Sequence, residues 1–161
     1  METNNNPLIQ ELEQFRNLMS GKQRRYYDIL LEKAKPIEMH SIYEVFTEEE
    51  IKRIKKNINP QKKQCFKNAF RMTLDFPGVE YVEGRVLAGG VLGAEHAFNK
   101  VGDKYIDVTF ELALKEDVTK EQYILIHEFE REELINLAIT HQYYTCFSER
   151  KIWEQIRSEE E

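Results

Sequence analysis

The chain is poor in cysteine, with only Cys65 and Cys146 among its 161 residues. Two cysteines in a chain of this size do not make a disulfide framework, so the chemistry of each thiol matters more than a bridge between them. Long apolar runs are missing too, and nothing approaches the length of a membrane span. The opening residues, METNNNP, lack the basic start and apolar core of a secretory signal. These absences point to a reducing, cytoplasmic setting and to no membrane partner. A basic block is also lacking. The formal net charge is -6, and phosphate backbones need clustered Lys and Arg, so no nucleic-acid partner is expected. The single basic run, Lys52, Arg53, Lys55 and Lys56 continuing to Lys62 and Lys63, is followed by acidic segments and reads as a solvated helix face.

What is present suits one compact domain. Apolar residues make up 41% of the chain, enough to bury a real core at this length. Three regions follow one another. Residues 1–60 read as a helical region packed on the rest as support. Leu8, Ile9, Leu12, Phe15 and Met19 recur at helical spacing until Ser20-Gly21. A second helix is expected from Gln23 to Lys35, ended by Pro36. Thr47 followed three residues later by Glu50 is a capping box, and its helix runs to Asn59-Pro60. None of this region proposes chemistry, and His40 has no evident partner.

Residues 61–161 read as an α+β core. A helix opens near Gln64, with Phe66, Ala69, Phe70, Thr73 and Leu74 on one side, and stops at Pro77-Gly78. Strands are expected at Val79–Ala88, Ala94–Val101 and Lys104–Phe110, with Gly89-Gly90 breaking the first from the second. Gly102-Asp103 reads as a two-residue hairpin turn. Tyr123–Phe129 is a further strand, Glu130 to Gln142 a helix, and residues 143–147 extended. Ser148 is the expected cap of a closing helix.

The chemistry concentrates on three residues. Cys65 stands where the coil after Pro60 turns into a helix. There the positive end of the dipole favours thiolate, and backbone N–H groups of the first turn can face an oxyanion. If Gly102 and Asp103 form the turn, Phe98 faces Asp107 and His96 faces Thr109 on one side of the hairpin. His96 and Asp107 are then diagonal neighbours, roughly 7–8 Å apart at the backbone. A carboxylate on one ring nitrogen fixes the tautomer and leaves the other free to take a thiol proton. A register slip of one residue would separate the pair.

The segments Gln64-Cys65-Phe-Lys-Asn68-Ala69, Tyr81-Val-Glu83-Gly84, Glu95-His96-Ala97-Phe98-Asn99 and Tyr105-Ile-Asp107-Val-Thr109 resemble the transglutaminase-like branch of the papain-like cysteine hydrolases. The resemblance covers about residues 61–110 and departs from the family at Phe98, where Trp is usual. It implies a helix opening at the nucleophile and packed on an antiparallel sheet with the His96 and Asp107 strands at its centre. It also implies a Cys65–His96–Asp107 triad and acyl transfer or amide or isopeptide hydrolysis on a protein or peptide-like substrate, without a cofactor. Gln61 and Gln64 are both candidates for the oxyanion side chain, and Glu83 for the cleft; Arg85 reads as half of a cross-strand ion pair. The alternative function is a catalytically idle protein-binding module, or a phage or bacterial effector, on the same fold. A metal site built from Cys146, His141 and His127 lacks the compact four-ligand spacing of structural zinc, so no metal is expected. Tyr143, Tyr144 and Trp153 read as packing.

Overall fold

The computed structural model describes residues 6–88, 92–141 and 144–160. The Gly89-Gly90 break and the expectation at Tyr143 lie outside the described residues. Helix α1 (Pro7–Leu18) starts with Asn6 accepting from the Leu8 and Ile9 N–H groups, and proline follows the cap, where its missing N–H costs nothing. Helix α2 (Gly21–Lys33) ends just before a three-residue strand, β1 (Lys35–Ile37). That strand contradicts the helix expected to run to Lys35, and Pro36 within it suits an edge position. After α3 (Ile42–Val45), helix α4 (Glu48–Arg53) begins with both halves of the Thr47/Glu50 capping box in place. A π-helical turn, Ile54–Ile58, continues it to Asn59, whose φ of 48° stops the chain from winding further.

Helix α5 (Cys65–Asp75) is followed by the long strands β2 (Val79–Ala88) and β3 (Leu92–Val101), then by β4 (Lys104–Ile106). Leu74, expected on the buried side of α5, is exposed, whereas Met72 is wholly buried. Strand β5 (Tyr123–Phe129) leads into α6 (Arg131–His141) and α7 (Phe147–Glu159). The sheet order is β1-β5-β2-β3-β4, antiparallel throughout. The α+β class expected from the sequence is therefore present. The hairpin register is also as read: Val101 pairs with Lys104, and Lys100 with Tyr105. Gly102 at the first turn position has a φ of 63°, a conformation glycine adopts at no steric cost. Strand β4 is nevertheless short and forms an edge, not a central member.

The sheet curls. Residues just beyond β1 reach the opposite edge, where Met39 bridges Tyr105 and the His40 N–H donates to the Tyr105 carbonyl at 2.8 Å. Val82, Val86, Phe98, Tyr123 and Leu125 fill one face together with Met39 and Phe110. On the other face, α5 presents Ala69 and Phe70 to Tyr81, Ala97 and Phe129. Helices α1, α2 and α7 cover Ile124 and Ile126. Between β2 and β5 the register shifts at Glu83/Gly84. A Cβ at Gly84 would stand 2.0 Å from the Ile124 carbonyl oxygen, so the two strands meet there only because this residue has none.

Candidate active site

Cys65 is the first residue of α5 and is partly exposed. Gln64 at the N-cap offers no side-chain bond, so the first-turn N–H groups have no capping side chain. Asn68 holds the preceding loop against the helix: its Nδ2 donates to the Gln61 carbonyl at 2.9 Å, and its Oδ1 accepts from the Gln61 N–H at 3.3 Å. The same Nδ2 donates to Thr109 Oγ1 at 2.9 Å. Asn68 thus ties the start of α5 to the segment that follows β4.

That segment carries Asp107. The strand expected to run to Phe110 stops at Ile106, and Thr109–Ala113 forms a π-helical turn instead. The cause is local. Asp107 Oδ1 accepts from the Phe110 N–H at 3.1 Å, the side-chain-to-backbone bond by which Asp starts a helix instead of prolonging a strand. Thr109 is therefore not a strand partner of His96. His96 and Asp107 still meet, and His96 Nε2 lies 2.6 Å from Asp107 Oδ2. Both residues are buried.

The Cys65 thiol lies close enough to His96 to help raise its pKa. With Nε2 engaged by Asp107, Nδ1 is the ring nitrogen left for another partner. Burial pulls the imidazole pKa down, but the Asp107 carboxylate and the Cys65 sulfur more than offset it, pushing the value up to about 10. Aromatic rings fix the imidazole plane: Phe98 stacks at 6.2 Å between centroids, while Phe110 and Tyr123 approach edge-on. Cys65, His96 and Asp107 are therefore brought together in that order.

One participant was missed in the sequence. The Tyr123 hydroxyl donates to Asp107 Oδ2 at 2.6 Å. Burial and the Asp107 charge push its pKa up, so it remains a donor. Asp107 thus receives His96 and Tyr123 on one oxygen and a backbone N–H on the other. Nothing in the local pattern around Tyr123 signals this, because the contact arises from the curl of the sheet.

Comparison with protein-family profiles, curated proteins and solved structures finds no match.

The remaining candidates have other duties. Gln61 Nε2 donates to the Asn59 carbonyl at 3.1 Å, and Gln64 is exposed. Glu83 is buried away from solvent. Its carboxylate accepts from the Tyr81 hydroxyl at 2.6 Å and from the Phe147 and Ser148 N–H groups at 3.0 and 2.8 Å. It therefore caps α7, the role expected of Ser148, and Cys146 occupies the N-cap position itself. Desolvation raises the Glu83 pKa against these hydrogen bonds. Arg85 lies 3.6 Å from Glu11 on α1, not in a cross-strand pair. His40 does have a partner, Glu44 Oε2 at 3.0 Å. His127 stands beside Lys151 and Glu133, and Trp153 stacks on Tyr26 at 5.0 Å. Tyr144 meets Phe70 edge-on at 5.3 Å.

Cys146 donates to Glu83 Oε1 at 3.4 Å. Burial first, then the Glu83 and Glu95 charges, drive its pKa up. Its sulfur and one carboxylate oxygen each of Glu95 and Glu149 lie within 4.8 Å of one another. Burial first, then the nearby Glu95 carboxylate, pushes the Glu149 pKa up. Neither His127 nor His141 joins this group. Among the described residues, no helix is long and apolar enough to cross a membrane.

Proposed function

We propose that the protein is a thiol enzyme of papain-like or transglutaminase-like architecture. It transfers an acyl group from an amide, ester or isopeptide to water or to an amine, with Cys65 as nucleophile, His96 as base and acid, and Asp107 as the residue that orients the imidazole. The observation that carries this reading is the buried His96–Asp107 pair at 2.6 Å, near enough to Cys65 for the thiol to help raise the His96 pKa to about 10. An imidazole so placed keeps the proton that the thiol gives up.

The steps follow from that geometry. Cys65 Sγ attacks the acyl carbon as the carbonyl π electrons move onto oxygen. First-turn N–H groups of α5, which no side chain caps, stabilise the oxyanion. As the carbonyl re-forms and the bond to the leaving group breaks, His96 delivers its Nδ1 proton to the departing nitrogen or oxygen. The acyl thioester then meets water or an amine. His96 takes the proton of this acceptor as it attacks, and Cys65 leaves as thiolate. Asp107 is held in place by the Tyr123 hydroxyl and the Phe110 N–H. It keeps the imidazole in the tautomer that exposes Nδ1.

The test is alkylation of the native protein with iodoacetamide at neutral pH, with mass spectrometry locating each adduct over time. Cys65 is expected to react far faster than Cys146. Slow labelling of Cys65 at the rate of Cys146 would reduce the chain to a binding module on this fold.

A further inference from the structure

The charge of this chain is segregated. Residues 52–71 hold eight Lys and Arg and no Asp or Glu. The remaining residues hold the other fifteen of the 23 basic groups and all 29 acidic ones. The nucleophile lies inside the basic segment. Lys62 and Lys63 precede Cys65 by three and two residues, Lys67 follows it by two, and all three are exposed. Among the described residues none of these three lysines takes part in an ion pair. The two arginines of this segment are engaged within the protein: Arg53 lies over the Phe76 ring, and Arg71 donates to backbone carbonyls at Asn57 and Ile58.

The backbone that carries Lys62 and Lys63 is held in place. Gln64 N–H donates to the Gln61 carbonyl at 3.3 Å, closing a turn with Lys62 and Lys63 at its centre. Lys63 adopts a φ of 62°, an uncommon conformation for a residue with a Cβ. Asn68 clamps both backbone groups of Gln61 to the first turns of α5. A solvated helix face needs no such device. The turn instead fixes the backbone of Lys62 and Lys63 three and two residues before Cys65.

The geometry points to a substrate class: a polypeptide whose reacting amide, ester or isopeptide is flanked by carboxylates, recruited by Lys62, Lys63 and Lys67. This inference rests on Cys65 being the nucleophile. A short acidic segment matches a cationic patch confined to one turn and one helix start. A long phosphate backbone does not, because it would run onto the acidic remainder of the surface.

The experiment compares two peptide probes that carry the same thiol-directed electrophile, one flanked by Glu and the other by Gln. The rate of adduct formation at Cys65 is followed by mass spectrometry, with iodoacetamide as a small neutral reference. The Glu probe is expected to react about tenfold faster than the Gln probe at low salt, with the advantage disappearing by about 0.5 M NaCl, in line with electrostatic steering. In a Lys62→Gln, Lys63→Gln, Lys67→Gln variant the ratio of the two rates should fall to about one. Taking the ratio cancels any change in the thiol itself. Equal rates for both probes on the unmodified chain, with iodoacetamide still selecting Cys65, would overturn the acidic-substrate inference while leaving the thiol enzyme standing. Loss of iodoacetamide selectivity would overturn both. An oligonucleotide that suppresses Glu-probe labelling at lower concentration than an acidic peptide would also overturn it, in favour of a nucleic-acid partner.

Discussion

Two helices of this protein start beside a cysteine, and they treat it in opposite ways. At α5 the cysteine is the first helical residue, the N-cap side chain makes no capping bond, and His96 is near enough for the thiol to help raise its pKa. At α7 the cysteine is the N-cap, and the buried Glu83 carboxylate takes the Phe147 and Ser148 N–H groups. Both ends offer the same dipole and the same donors. The difference lies in which charge they meet. A carboxylate at α7 satisfies the donors and pushes the neighbouring thiol pKa up. An imidazole at α5 leaves the donors free. A helix N-terminus therefore does not by itself make a cysteine reactive; the charge placed against it decides.

The sharpest way to break this comparison is to exchange the cysteines' fates. Cys65→Ala should abolish acyl transfer entirely, since no other group forms the thioester. Cys146→Ala should leave turnover within about twofold, because it touches neither His96 nor Asp107 and exposed chemistry is not asked of it. Turnover of any amide or ester substrate that is found measures both. Asp107→Asn should retain the fold and reduce kcat by about 10³–10⁴, as the amide favours the wrong tautomer of His96 and cannot stabilise imidazolium. An Asp107→Asn variant with full activity would remove the orienting role.

At α7 the expected effect is on stability. Glu83→Ala strips a buried acceptor from two N–H groups and a tyrosine hydroxyl, and should cost about 3 kcal/mol in urea unfolding. The same change should leave iodoacetamide labelling of Cys65 in the folded protein unaltered. Tyr123→Phe removes one hydrogen bond to Asp107 and should lower kcat about tenfold, with KM unchanged. The smallest effect is on pH dependence. The His96 pKa is raised from 6.5 to about 10, so its contribution to stability is complete below pH 6.5. It is lost as the pH rises toward 10. Urea midpoints across that range should decline for the unmodified chain, and His96→Gln should flatten this component.

Much of this could be read from the residues alone. The bounds of Val79–Ala88 and Tyr123–Phe129 followed from apolar and β-branched content between turn residues, and the Gly102-Asp103 turn set the register that brings His96 to Asp107. Local chemistry was misread at Asp107 itself. Val108 and Thr109 favour a strand, but the preceding Asp side chain captures the Phe110 N–H and turns the chain into a π-helical turn. Proline hid β1, because a three-residue edge strand gives almost no periodic signal. Glu83 and Tyr123 were illegible for a different reason. Their partners lie 64 and 16 residues away in sequence, and only the curl of the sheet and the docking of α7 bring them into contact.

Gly84 lies opposite His96 on one side and against the Ile124 carbonyl on the other. A methyl group there would wedge β2 away from β5, and Tyr123, the neighbour of Ile124, would carry its hydroxyl away from Asp107. A random screen for inactive variants should therefore recover Gly84→Ala alongside Cys65, His96 and Asp107. The residue carries no functional group, and its hydrogen atom is the clearance that lets β2 and β5 meet and Tyr123 reach Asp107.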